Sequence, residues 1–128
     1  MKTVPRIPEA EWEVMKIIWA HSPITANDVI EKLEGVVTWK PKTVKTLLGR
    51  LVKKKVISFY KEGRTYIYFP LVMEKECIKA ETQSFLQRVY GGGLQVMLAN
   101  FLENHDLTKE EIQELKEILD KKKHVKKG

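Results

Sequence analysis

Lys42, Thr43, Lys45, Thr46, Arg50 and Lys53 place cationic and hydroxyl groups at the spacing of one helix face. No acid interrupts the chain between Lys40 and Lys61, and across residues 40–64 nine basic residues stand against Glu62 alone. Ammonium and guanidinium groups neutralise phosphates and donate to base edges, so the chemistry on offer is recognition of a polyanion, most often nucleic acid. An ordinary solvated helix face mixes signs, because Glu–Lys pairs at i,i+4 add support. This one does not. Lys42 and Thr43, at the start of the helix, are expected to reach base edges. Thr46 offers a methyl to a thymine or a hydroxyl to a phosphate. Lys45, Arg50 and Lys53 lie where phosphates would run and position the protein without reading sequence. Arg64 is expected either in a narrow minor groove or as a solvent-facing turn residue.

The elements that must hold these side chains are legible in the apolar spacing. Trp12, Met15, Ile18 and Trp19, widened by Val14 and Ile17, predict a first helix that begins near Pro8 and ends near His21-Ser22-Pro23. Glu9, Glu11 and Glu13 crowd its first turn, where carboxylates favour the positive end of the dipole. Thr25, with Asp28 three positions later, caps a second helix carrying Val29, Ile30 and Leu33, and Gly35 is placed to end it. Pro41 opens the third helix where a missing N–H costs nothing. Val44, Leu47, Leu48, Leu51 and Val52 fall at i, i+3, i+4, i+7 and i+8, so its core stripe lies opposite the cationic face. Ile57–Lys61 and Thr65–Phe69 then read as strands joined by Glu62-Gly63-Arg64, and Pro70 ends the second. Three helices and a hairpin are the winged helix-turn-helix arrangement.

From Met73 the character changes. Cys77, Ile78, Phe85, Leu86, Val89 and Tyr90 predict one helix over about 74–90, broken by Gly91-Gly92-Gly93. Leu94, Val96, Met97, Leu98, Phe101 and Leu102 make a short helix apolar on most of its surface. Thr108 and Glu111 form a capping box for a last helix with Ile112, Leu115, Ile118 and Leu119, followed by a lysine-rich tail, 121–128, expected to fray. Three short helices enclose too little interior to be stable alone. The expected solution is a homodimer in which Phe85, Leu86, Leu94, Met97, Leu98, Phe101, Leu102, Ile112 and Leu115 meet their copies across a twofold axis. Two recognition helices about one DNA turn apart would then read a palindromic site. The expected fold is mainly α: a winged helix-turn-helix DNA-binding domain over 1–72, with three helices and a β-hairpin wing, then a helical dimerization lobe over 73–128.

Composition bounds the alternatives. The 128 residues carry a formal net charge of +6 and an isoelectric point near 9.4. The asymmetry is sharp: residues 1–73 hold 13 Lys/Arg against 7 Asp/Glu, whereas residues 74–128 hold 10 of each. Cys77 is the lone cysteine, which excludes an intramolecular disulfide framework and a cysteine-rich zinc site. It reads as a small apolar filler. His21, His105 and His124 are too scattered for a metal cage, and no HExxH occurs. Trp12, Trp19 and Trp39 read as core aromatics rather than base-stacking platforms. Nothing resembles a nucleophile–base pair or a phosphate-cradling loop, so neither an enzyme nor a cofactor is expected. No run of 18 apolar residues occurs, and residues 1–8 hold no apolar run suited to a secretory signal. A cytoplasmic location without membrane insertion is expected.

The segments Ala10-Glu11-Trp12-Glu13-Val14-Met15, Ile18-Trp19 and Trp39-Lys40-Pro41-Lys42-Thr43-Val44-Lys45-Thr46-Leu47-Leu48-Gly49-Arg50-Leu51 resemble the BlaI/MecI penicillinase-repressor family. So do Ser84-Phe85-Leu86, Tyr90-Gly91-Gly92, Asn100-Phe101 and Leu107-Thr108-Lys109-Glu110-Glu111-Ile112. The likeness spans essentially the whole chain in order. It implies a dimeric repressor of β-lactamase or methicillin-resistance genes. It further implies inactivation by a β-lactam sensor-transducer protease through a cut between an Asn and a Phe, here Asn100–Phe101. Cutting there would detach the last helix and weaken the dimer. Because a protease needs extended backbone, the helix must open locally or the cut must be slow on the folded dimer. Many relatives carry Ser where Pro8 and Lys40 stand, so two helix caps are lost. Gly49 replaces a larger residue on the outward face. The cysteine pair of copper-responsive relatives is missing, which argues against metal sensing. Two rivals stay open from the residues: a regulator of the same family with another regulon, released by a small ligand rather than cleavage, and a non-regulatory protein whose basic face meets an acidic partner.

Overall fold

The computed structural model describes residues 4–123. His124 and the rest of the tail expected to fray lie outside the described residues from 124 on. The described residues form two compact units, divided between Thr82 and Gln83.

In the first unit α1 (Glu9–His21), α2 (Ala26–Leu33) and α3 (Pro41–Lys53) enclose an apolar core, with a small sheet completing it. Thr25 caps α2, its hydroxyl oxygen accepting from Asp28 N–H at 3.1 Å, as its spacing predicts. Neither Pro8 nor Lys40 contributes a side-chain cap, so α1 and α3 begin uncapped. The apolar stripe of α3 turns inward, with Val44, Leu47, Leu48 and Leu51 buried against Val14, Met15 and Ile18 of α1 and Val29 of α2 in one cluster. Trp12, Trp19 and Trp39 pack on this cluster's margin, and the Trp19 indole N–H donates to the Val72 carbonyl at 3.0 Å.

The hairpin comprises β2 (Ile57–Glu62) and β3 (Thr65–Pro70), antiparallel from Ile57↔Pro70 to Glu62↔Thr65. Gly63 has φ +63°, the positive value that the first central position of a type II′ connection needs. The sheet has a third strand that the sequence does not announce. β1 (Ile24–Thr25), two residues long, pairs antiparallel with Ile67 and Tyr68 and makes β3 central. Pro70 falls beyond that pairing, so its missing N–H interrupts no ladder to β1.

The first unit runs to residue 82, past the division at 72/73 drawn from the sequence, because Cys77 is 2% exposed and belongs to the same apolar cluster. Burial, and then the charge of Glu76, push its thiol pKa up. The helix expected over 74–90 is two segments: α4 (Glu74–Phe85) and a π-helical turn over Leu86–Tyr90. The widened turn brings residues i and i+5 together, and Phe85 and Tyr90 meet edge-on with ring centroids 5.9 Å apart. Gly91, at φ +66°, ends it. α5 (Leu94–Asn104) and α6 (Lys109–Lys122) follow. The Thr108–Glu111 capping box is present in both directions, at 2.9 and 3.0 Å. Among the described residues of the second unit, none is buried.

Candidate nucleic-acid interface

α3 presents Lys42, Thr43, Lys45, Thr46, Gly49, Arg50 and Lys53 to solvent, all on the side away from the core. Among the described residues no carboxylate pairs with Lys42, Lys45, Arg50, Lys53 or Arg64. Arg50 and Lys53 also occupy the last turn, where cations suit the helix dipole. Lys42 sits in the first turn against that dipole, a placement that helix stability alone does not favour. The helix thus carries an unneutralised cationic ridge along its exposed length.

Thr46 does not keep both of its options. Its hydroxyl donates to the Lys42 carbonyl at 3.0 Å, one turn back, so the proton is engaged within the helix. What remains for a partner is chiefly the methyl. Beside it a Cβ built on Gly49 meets nothing within 4 Å, so no neighbouring side chain requires a glycine there.

Arg64 follows Gly63 at the tip of the hairpin and is exposed. Behind it the hairpin carries aromatic rings that face water: Phe59 and Tyr66 stack at 4.5 Å with planes 5° apart, and the Lys61 ammonium lies 5.2 Å from the Tyr66 ring centre. Of this hairpin the sequence singles out only Arg64 as a candidate contact. The register supplies the missed signal, because Lys61↔Tyr66 and Phe59↔Tyr68 place all four on one face of the ribbon.

One member of the positive run is engaged elsewhere. Lys54 Nζ lies 2.6 Å from a carboxylate oxygen of Glu11, which is 2% exposed, and 3.4 Å from the Arg6 carbonyl. Glu11, expected only to favour a helix dipole, is a buried ion-pair partner. Lys54 does not belong to the free charge of the 40–64 stretch.

In the second unit Asn100 and Phe101 are exposed and lie within regular α5 helix. The Asn100 amide donates to the Val96 carbonyl at 2.9 Å, and the Phe101 ring stacks on His105 at 4.3 Å. Of the apolar residues expected at an interface, Phe85, Leu94, Phe101, Leu102, Ile112 and Leu115 are exposed, whereas Leu86, Met97 and Leu98 are half-buried. His21 and His105 are exposed, and no group of three or more His, Cys, Asp or Glu among the described residues is arranged to hold a metal ion. No helix of the described residues is long and apolar enough to cross a membrane.

Known proteins resemble this chain in sequence and in fold. A penicillinase repressor of Bacillus licheniformis is 49% identical over 127 residues, covering 99% of both chains. The methicillin resistance regulatory protein MecI of Staphylococcus aureus strain N315 is 41% identical over 116 residues, 91% of this chain and 94% of that one. Among solved structures, the DNA-binding domain of the repressor BlaI matches at TM-score 0.53 and 49% identity, covering 59% of this chain and 93% of that one. The monomeric form of B. licheniformis BlaI in complex with the blaP half-operator matches the same shares at TM-score 0.52. MepR, a transcription regulator of the S. aureus multidrug efflux pump MepA, has the same fold at TM-score 0.53 and 23% identity, over 90% of this chain and 76% of that one. The family model for the penicillinase repressor matches residues 7–121, and the chain belongs to that family.

Proposed function

We propose that this protein is a cytoplasmic transcriptional repressor that binds a palindromic operator as a homodimer. The first unit places α3 in the major groove, with Lys42 and Thr43 at base edges and Lys45, Arg50 and Lys53 along the phosphates. Arg64 and the hairpin reach the adjacent backbone or minor groove. The second unit joins two copies. The regulated genes encode a β-lactamase or a related antibiotic-resistance function, and a β-lactam sensor-transducer protease ends repression by cutting Asn100–Phe101. The observation that carries this reading is the uninterrupted cationic ridge of α3, backed by a core that fixes which face turns outward. The family relationship supports it further, as does the likeness to BlaI in complex with a half-operator and to the methicillin resistance regulatory protein MecI.

Selection of bound sequences from random duplex DNA by the purified protein tests it, followed by sedimentation of the complex. An inverted repeat bound by two protomers is expected, with affinity falling steeply as salt rises. Incubation with extract from β-lactam-induced cells should yield fragments ending at Asn100 and beginning at Phe101 by mass analysis. Equal binding to scrambled duplexes would overturn the repressor reading. Release from DNA by a small molecule with the chain intact would replace the proteolytic part of it.

A further inference from the structure

We infer that Glu11 and Lys54 form a positioning pair that sets the angle at which α3 is presented to DNA, and that Lys54 is not a phosphate contact. This rests on the proposal that α3 reads DNA. Lys53, Lys54 and Lys55 are three consecutive cations at the end of α3, and from charge alone all three would be counted toward DNA. Their surroundings differ. Lys53 is exposed, with no ion-pair partner among the described residues, whereas Lys54 turns inward to a carboxylate that is 2% exposed.

The pair ties three segments together. Glu11 stands in the first turn of α1. Lys54 follows the last residue of α3, and its backbone N–H bonds to the Arg50 carbonyl at 3.0 Å. Its ammonium is also 3.4 Å from the carbonyl of Arg6, beside the buried Ile7. The other contacts that seat α3 are apolar, through Val44, Leu47, Leu48 and Leu51, and apolar contacts are non-directional. The 2.6 Å bond between Glu11 and Lys54 is directional and charge-assisted.

The base-reading end of α3 lies far from this anchor. Lys42 precedes Lys54 by twelve residues, about 18 Å of helix at 1.5 Å per residue. A tilt of about 5° about the anchored end therefore moves Lys42 by about 1.6 Å, enough to break a hydrogen bond whose useful range spans only a few tenths of an ångström. Glu11 never touches DNA in this account. It acts through the helix that does.

The test measures affinity of the full-length protein for its selected duplex and for random duplex, each across a salt series, with thermal melts alongside. The variants are Glu11→Gln, Lys54→Met, both together, Lys54→Arg and, as a phosphate-contact reference, Lys53→Ala. Glu11→Gln and Lys54→Met should each lower operator affinity about tenfold, the scale of one lost base contact, and narrow the preference over random DNA. The salt slope should stay at the wild-type value in both. The double variant should lose no more than the weaker single variant, because the two residues act as one unit. Lys54→Arg should retain the preference. Lys53→Ala should flatten the slope by about one per subunit while leaving the preference intact.

A flattened slope in Lys54→Met, with Glu11→Gln binding as tightly as wild type or tighter, would show Lys54 on a phosphate and overturn the inference. So would lower melting temperatures with unchanged affinity and preference, which would make the pair a brace of the fold only. If a single variant fails to fold, the double variant, with neither charge left buried alone, carries the same two readouts. A wild-type protein that prefers no duplex would overturn the DNA-reading itself, a failure visible before any variant is made.

Discussion

Lys42 and Lys53 are chemically identical and both exposed on α3, yet eleven residues of helix separate the work expected of each. Lys42→Ala should cost about 1–3 kcal/mol on the operator and relax its preference, whereas Lys53→Ala should weaken all sequences alike. Titrations against operator and random duplex separate the two, and equal losses for Lys42→Ala would refute its assignment. Thr46 allows a sharper experiment. With its hydroxyl proton engaged by the Lys42 carbonyl, Thr46→Val keeps what faces the partner and should bind nearly as wild type. Thr46→Ser, which keeps the hydroxyl and loses the methyl, should bind less tightly. The reverse order would place the hydroxyl on a phosphate. At this scale the sequence discloses which residues are cationic, because that is composition and period. It conceals that Lys54 meets Glu11 forty-three residues away, because no local pattern marks such a partner. The hydroxyl of Thr46 is hidden for a different reason: donation to the i−4 carbonyl is one rotamer among several.

The end of α3 shows how an element can depart from the expected chemistry and still close. Val56 N–H bonds to the Leu51 carbonyl and Lys55 N–H to the Val52 carbonyl, both at 3.0 Å, with Val56 and Leu51 both fully buried. This is a Schellman ending, whose left-handed position favours glycine, but Lys55 occupies it at φ +65°. A left-handed L-residue costs roughly 1–2 kcal/mol, so Lys55→Gly should raise stability by about 1 kcal/mol despite the freer unfolded chain. Gly49 is the opposite mismatch, a glycine in a helix interior with open space around it, and Gly49→Ala should add about 1 kcal/mol. Urea unfolding checks both, and a destabilised variant in either case would refute the corresponding argument. Helices α1 to α3, the hairpin and the caps at Thr25 and Thr108 are legible because each depends on residues within about one turn. β1 is too short to have a period, and it forms only because Ile67 and Tyr68 offer an edge to Thr25 and Ile24 from far along the chain. The π-helical turn at Leu86–Tyr90 was hidden by an apolar spacing that fits one continuous helix almost as well.

Across the whole molecule the two units are unequal in what they bury. The first has a core that includes Met15, Ile18, Leu48, Leu51 and Ile57, all sealed from water. The second leaves Leu94, Phe101, Leu102, Ile112, Leu115, Ile118 and Leu119 between 39% and 64% exposed, more apolar side chain than a solitary helical unit keeps in water. A second copy of the same helices is the cover proposed above, and cleavage at Asn100–Phe101 then acquires a physical consequence. The bond lies four residues before the end of α5, so cutting removes Phe101 and Leu102 together with all of α6. The core of the first unit is untouched, because its last member is Cys77. A chain ending at Asn100 should therefore keep its fold and its affinity for a half-site while sedimenting as a monomer at micromolar concentration. Its affinity for the full operator should drop about 10²–10⁴-fold, the advantage that linking two half-site readers confers. The salt slope on the full operator should fall to about half, since one subunit displaces half the counterions. If the truncated chain remains a dimer, or holds the full operator as tightly as the intact one, then the residues beyond Asn100 do not join the subunits. The cut would then have to end repression by some route other than separating them.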